Sequence, residues 1–67
     1  MYGERIKELR LERKLTQSKL AKRLNTTQKS ISKYETEQLD LSTTMIITLC
    51  RYFDVSADYL LGLKDSY

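Results

Sequence analysis

One cysteine, Cys50, and no histidine among 67 residues deny this chain the two staples, disulfides and structural metal, that small domains commonly recruit. A chain this short also buries a smaller fraction of its surface than a larger one, so packing has to hold it, helped by dimerisation. A helical bundle is the economical solution. The sequence has no proline and only Gly3 and Gly62, while the helix formers leucine, lysine, arginine and glutamate abound. The expectation is an all-α fold in a single domain over residues 1–67, without repeat, low-complexity run or linker. No apolar run approaches the ~20 residues of a membrane span, and the N-terminus carries charges in place of a signal peptide's hydrophobic region. With the lone thiol, this predicts a cytoplasmic protein. Lacking histidine, a cysteine pair or a glycine-rich phosphate loop, the chain is not expected to be an enzyme or to bind a metal, cofactor or small molecule.

Charge is unevenly distributed. Residues 1–33 hold ten basic and three acidic side chains, a net of +7, whereas residues 34–67 hold two basic and six acidic, a net of −4. Such asymmetry suggests a polyanion on one side of the molecule. Solvated helix faces would account for it equally well.

Periodicity places a first helix at about Glu4 to Arg13, because Ile6, Leu9, Arg10 and Arg13 recur at helical spacing, and Arg10 then faces inward beside apolar neighbours. An inward Arg10 requires a carboxylate partner, because an unpaired buried charge costs several kcal/mol (of order 3–5). Thr16 caps a second helix from Gln17 to about Leu24, in which Leu20, Ala21 and Leu24 share a face. Asn25 stands where a helix stops in the left-handed conformation. Thr27 then caps a short helix, Gln28 to Glu35, with Ile31 and Tyr34 on one side and Gln28, Lys29, Ser32 and Lys33 on the other. Thr36 to Leu41 reads as a loop. Ser42 caps a fourth helix bearing Ile46, Leu49, Cys50 and Phe53 at helical spacing, and Ser56 caps a fifth ending near Gly62. Leu9, Leu20, Leu24, Ile31, Leu49, Phe53 and Leu61 are the expected core. Cys50 and Tyr34 are read as structural residues.

Two short helices joined by a tight turn, the second with a polar outer face, form a helix-turn-helix over about residues 16–35. Its second helix is the size that enters a major groove. The stretch LTQSKLAKRLNTTQKSISKYE, Leu15 to Glu35, resembles the helix-turn-helix of the phage repressor and Cro family, the Xre-type regulators, and Phe53 to Gly62 resembles that family's closing helix. The resemblance implies a five-helix, lambda-repressor-like DNA-binding domain in which Arg10 pairs with Glu35. It implies that Thr27, Gln28, Lys29 and Lys33 face base edges of double-stranded DNA, and that Gln17 and Ser30 reach phosphates. The chemistry suits those roles, since glutamine bonds adenine N6 and N7, lysine donates to guanine, and helix starts attract phosphate.

The function so implied is sequence-specific transcriptional regulation, as a repressor on a palindromic operator. A controller protein acting as activator, or a protein-interaction module on the same fold, is the alternative. A homodimer is expected, with Tyr59, Leu60 and Leu63 leaving an apolar C-terminal surface for the partner copy. Three features depart from the family pattern. Thr36-Glu37 replaces the usual Asn-Gly helix stop, the following loop is acidic (Glu37, Asp40), and Ser18-Lys19 stands where acidic residues are frequent. Fewer phosphate contacts and a weaker affinity per monomer are therefore expected.

Overall fold

The computed structural model describes residues 1–65, so residues 66 and 67 of the expected domain lie outside the described residues. Five helices follow in order and no strand occurs among the described residues: α1 Tyr2–Glu12, α2 Gln17–Arg23, α3 Gln28–Glu35, α4 Thr43–Phe53 and α5 Ala57–Leu60. Four of the starts are set locally. Thr16, Thr27, Ser42 and Ser56 have extended backbone, and each side-chain oxygen accepts the N–H three residues on, from Lys19, Ser30, Met45 and Tyr59. Each such cap is worth about 1 kcal/mol.

The helix stops share one device. Lys14, Asn25, Glu37, Asp54 and Gly62 all have φ between 57° and 82°. At each, the next residue's N–H reaches back to a carbonyl inside the helix: Leu15 to Arg10, Thr26 to Ala21, Gln38 to Lys33, Val55 to Cys50 and Leu63 to Asp58, at 2.7–3.1 Å. These bonds satisfy carbonyls that a helix end leaves open. Glu37 therefore closes α3 where a glycine was missed in the sequence. Left-handed backbone costs a non-glycine residue roughly 1–2 kcal/mol. Lys14 is exposed, so Lys14→Gly is expected to raise stability by about 0.5–1 kcal/mol after glycine's own entropy is deducted. The shift of the urea midpoint at constant m-value measures it.

The core takes one fully buried side chain from every helix: Ile6, Leu20, Ile31, Leu49 and Leu60. α3 packs on both α2 and α1, while α5 closes on α1 and α4. α1 begins two residues before the expected Glu4, because Gly3 lies flat against the end of α3. A Cβ there would collide with the Glu35 carbonyl and lie 3.0 Å from Glu37 Cγ.

Two expectations are corrected. Tyr59 and Leu60 are buried, at 6% and 0% exposure, and so present no free apolar surface, whereas the expected core residue Leu61 is half-buried. The reason is that α5 is a single turn whose register is set by α1. The Arg5 guanidinium stacks 4.1 Å over the Tyr59 ring, and the turn at Gly62 carries Leu61 and Leu63 outward. Arg13, the last of the residues at helical spacing, is exposed. It lies just past the end of α1 and covers the rings of Tyr52 and Phe53 from 5.2 and 5.1 Å.

Candidate nucleic-acid interface

The turn between α2 and α3 needs only Leu24 to Thr27, because Asn25 reverses the chain and Thr27 restarts it. This fixes α3 with Ile31 and Tyr34 in the core and Thr27, Gln28 and Lys29 exposed at its start. Ser30 and Lys33 are half-buried. The Thr27 hydroxyl donates to Ser30 Oγ at 3.0 Å while its oxygen accepts the Ser30 N–H at 3.1 Å. Both side chains at the helix start are thereby oriented.

Behind this face lies a buried polar network. Arg10 donates from Nε to Glu35 Oε2 at 2.6 Å and from NH2 to Oε1 at 3.2 Å, and its NH1 reaches the Leu15 carbonyl at 2.8 Å. The two side chains retain 9% and 4% exposure, so the bidentate pair sits in a medium that strengthens it. Gln17, at the first position of α2, donates Nε2 to Glu35 Oε1 at 3.1 Å and accepts from Gln28 Nε2 at 3.4 Å. The expected phosphate holder and the expected base reader are thus in contact, and both are tied to the ion pair. No buried side-chain polar atom lacks a partner among the described residues.

The loop after α3 is held from below. Gly3 N–H donates to Glu37 Oε2 at 3.3 Å, and the Tyr2 hydroxyl donates to the Leu39 carbonyl at 3.2 Å and to Asp40 Oδ1 at 3.4 Å. The acidic side chains that set this loop apart are therefore turned toward the start of α1, whose dipole favours them. Burial, and then the neighbouring Asp40 and Glu37 charges, push the Tyr2 phenol above its ordinary pKa.

Sequence reasoning missed a second basic cluster. Arg23 donates to the Tyr52 hydroxyl at 3.1 Å and Arg13 to the Tyr52 carbonyl at 3.1 Å, joining α2 and the end of α1 to α4. These contacts span 29 and 39 residues, beyond the reach of local spacing. Cys50 is half-buried, and burial pushes its thiol above the ordinary range, which disfavours the reactive thiolate.

The comparisons with known proteins agree with this geometry. Residues 3–66 match the family described as helix-turn-helix domain. YobD of Bacillus subtilis, named an uncharacterized HTH-type transcriptional regulator, is 38% identical over 65 residues, 97% of this chain and 58% of YobD. The chain thus spans little more than half the length of that relative. Among solved structures, the P22 c2 repressor in complex with a synthetic operator superimposes with a TM-score of 0.87 at 28% identity, covering 96% of this chain and 97% of the repressor. The restriction-modification controller protein C.AhdI of Aeromonas hydrophila gives 0.78 at 27% identity, over 88% and 86% of the two chains. With the capped α2–turn–α3 unit and a family match over almost its whole length, the chain belongs to the helix-turn-helix domain family, of the phage repressor and Cro (Xre) type.

Proposed function

We propose that the protein is a sequence-specific, double-stranded-DNA-binding transcriptional regulator, a repressor that lays α3 in the major groove of a palindromic operator. The observation that carries this reading is the likeness, along nearly the whole chain, to a repressor solved on an operator. In this reading Thr27, Gln28, Lys29 and Lys33 meet base edges, and Gln17 and Ser30 hold phosphates. Regulation of this kind places the protein in the cytoplasm; none of the described helices is long and apolar enough to cross a membrane.

Size argues for two copies. The described chain measures 27 Å along its longest axis, too short to reach two half-sites about 34 Å apart, one turn of DNA. Leu63 and Ile47, 73% and 47% exposed, are among the apolar side chains a partner copy can cover, together with Met1, Leu11 and Leu39, now that Tyr59 and Leu60 are accounted for in the core. The likeness to C.AhdI supports a second reading, a controller protein that activates.

Binding to random duplex DNA tests the function. At low salt, affinity is expected to be measurable and to fall on a straight line of log K against log salt, with a slope near −0.9 per phosphate neutralised. A module that uses this fold only to bind another protein would show no such affinity.

A further inference from the structure

We propose that Tyr2 is a positioning residue for nucleic-acid affinity: its hydroxyl holds the carboxylate of the loop residue Asp40 on the α1 side of α3, off the phosphate backbone that flanks the groove. The inference rests on the DNA-binding reading above and adds what keeps an acidic loop compatible with it. The loop leaves α3 directly, and α3 is eight residues long, about 12 Å at 1.5 Å per residue. A major groove is itself about 12 Å wide, so a loop attached to the end of a helix lying in it stands beside one of the two phosphate walls. A free carboxylate there repels phosphate over a Debye length of ~10 Å at 0.1 M salt and ~30 Å at 0.01 M. Glu37 and Asp40 put two such carboxylates in every copy.

Both are drawn to the start of α1. This helix has no side-chain hydrogen bond at its own N-cap, Met1. Glu37 supplies an acceptor from 34 residues away, its Oε2 taking the Gly3 N–H at 3.3 Å, which satisfies one of the donors that a helix start leaves open and sets negative charge at the positive end of the dipole. The backbone of Glu37 is left-handed, φ 61°, a conformation that favours glycine, yet glycine would have no carboxylate to give. Asp40 is reached by Tyr2. The one hydroxyl hydrogen of Tyr2 is shared between the Leu39 carbonyl at 3.2 Å and Asp40 Oδ1 at 3.4 Å, and its ring packs against the core, which fixes where the hydroxyl stands. Since α1 packs against α3 and the buried face of α3 carries Ile31 and Tyr34, these bonds draw the carboxylates to the side of α3 that faces the domain, not the side that presents Gln28 and Lys29.

Tyr2→Phe removes the hydroxyl and leaves the ring, and Asp40→Asn removes the charge that the hydroxyl holds. The native protein, both single variants and the double variant are compared for affinity to one random-sequence duplex across a salt series, with folding checked by urea denaturation. Tyr2→Phe is expected to bind about two- to threefold more weakly at ~0.05 M salt, the effect of one exposed charge ~10 Å away in water, and as tightly as the native protein near ~0.5 M, where screening is almost complete. Asp40→Asn should restore the Tyr2→Phe protein but raise the affinity of the native one by much less. A role of Tyr2 in stability alone would move the urea midpoint and neither of these readings. No loss in Tyr2→Phe, a loss that persists at high salt, or an equal gain from Asp40→Asn in both backgrounds would overturn the proposal. A second measurement needs no DNA. The Asp40 carboxylate helps to hold the Tyr2 phenol above its ordinary pKa, after burial itself, so in Asp40→Asn the phenol, followed by NMR, should titrate at a lower pH. An unmoved titration would mean that hydroxyl and carboxylate are not in contact, and sinks the proposal whatever the DNA result. If the native protein binds no duplex while the titration moves as expected, the DNA-binding reading fails, and the affinity role with it.

Discussion

Glu35→Ala is expected to remove about 3–5 kcal/mol of stability, the largest effect of any single change outside the apolar core. The carboxylate receives two bonds from Arg10 and one from Gln17, and with its departure a guanidinium of 9% exposure is left uncompensated. A chain of this length is stable by roughly 3–10 kcal/mol in total, so the variant should keep at most a fraction of its stability near room temperature, and the about 0.5–1 kcal/mol of Lys14→Gly would restore only a small part of the loss. Arg10→Ala should cost a similar amount, since it strands the carboxylate. The two losses should not add. A double-mutant cycle by urea denaturation should give a coupling of about 2 kcal/mol or more, and additive losses would show that the pair contributes nothing as a pair. Arg10→Met/Glu35→Leu should recover most of the stability, because neither charge is then buried alone.

Gln28→Ala and Lys29→Ala are expected to weaken binding to the preferred operator by about 1–3 kcal/mol per half-site, and by about twice that where two copies occupy a palindrome. Both side chains are exposed at the start of α3. Discrimination should relax at one or two base positions. Ser30→Ala should act differently, lowering affinity for every duplex alike, as a phosphate contact does. Its hydroxyl is already oriented by Thr27, so the loss falls on docking and not on choice of base. Lys33→Gln should flatten the salt slope by about one unit if the ammonium meets a phosphate, and leave it unchanged if it meets a base. Affinities for matched, singly substituted and random duplexes across a salt series separate these outcomes. Uniform losses for the Gln28 and Lys29 variants would mean that another surface reads the sequence.

The parts of this fold that are decided within four residues were legible without coordinates. Thr16, Thr27, Ser42 and Ser56 cap where their positions ahead of helical patterns place them, and α3 has the bounds that its spacing predicts. Asn25 is left-handed, as its place after Leu24 requires. What failed depends on distant partners. The facing of α5 is set by Arg5 of α1, and a single helical turn carries too little periodicity to reveal it. The packing of Arg13 over Tyr52 and Phe53 was hidden as well, because spacing cannot register residues that distant in sequence. The Gln17–Gln28 contact was equally invisible, since both residues are polar, eleven positions apart, and on different helices.

Of the five left-handed helix stops, only Gly62 is the residue to which that backbone is free of steric cost. Lys14 holds its own against the preference of its side chain, so the chain carries unclaimed stability at a position outside α3. A lineage that acquired glycine there would gain room to tolerate destabilising changes elsewhere. The residues of α3 proposed to read DNA could then vary more widely before the fold failed. In this small scaffold the capacity of α3 to change is therefore governed in part by the ends of other helices.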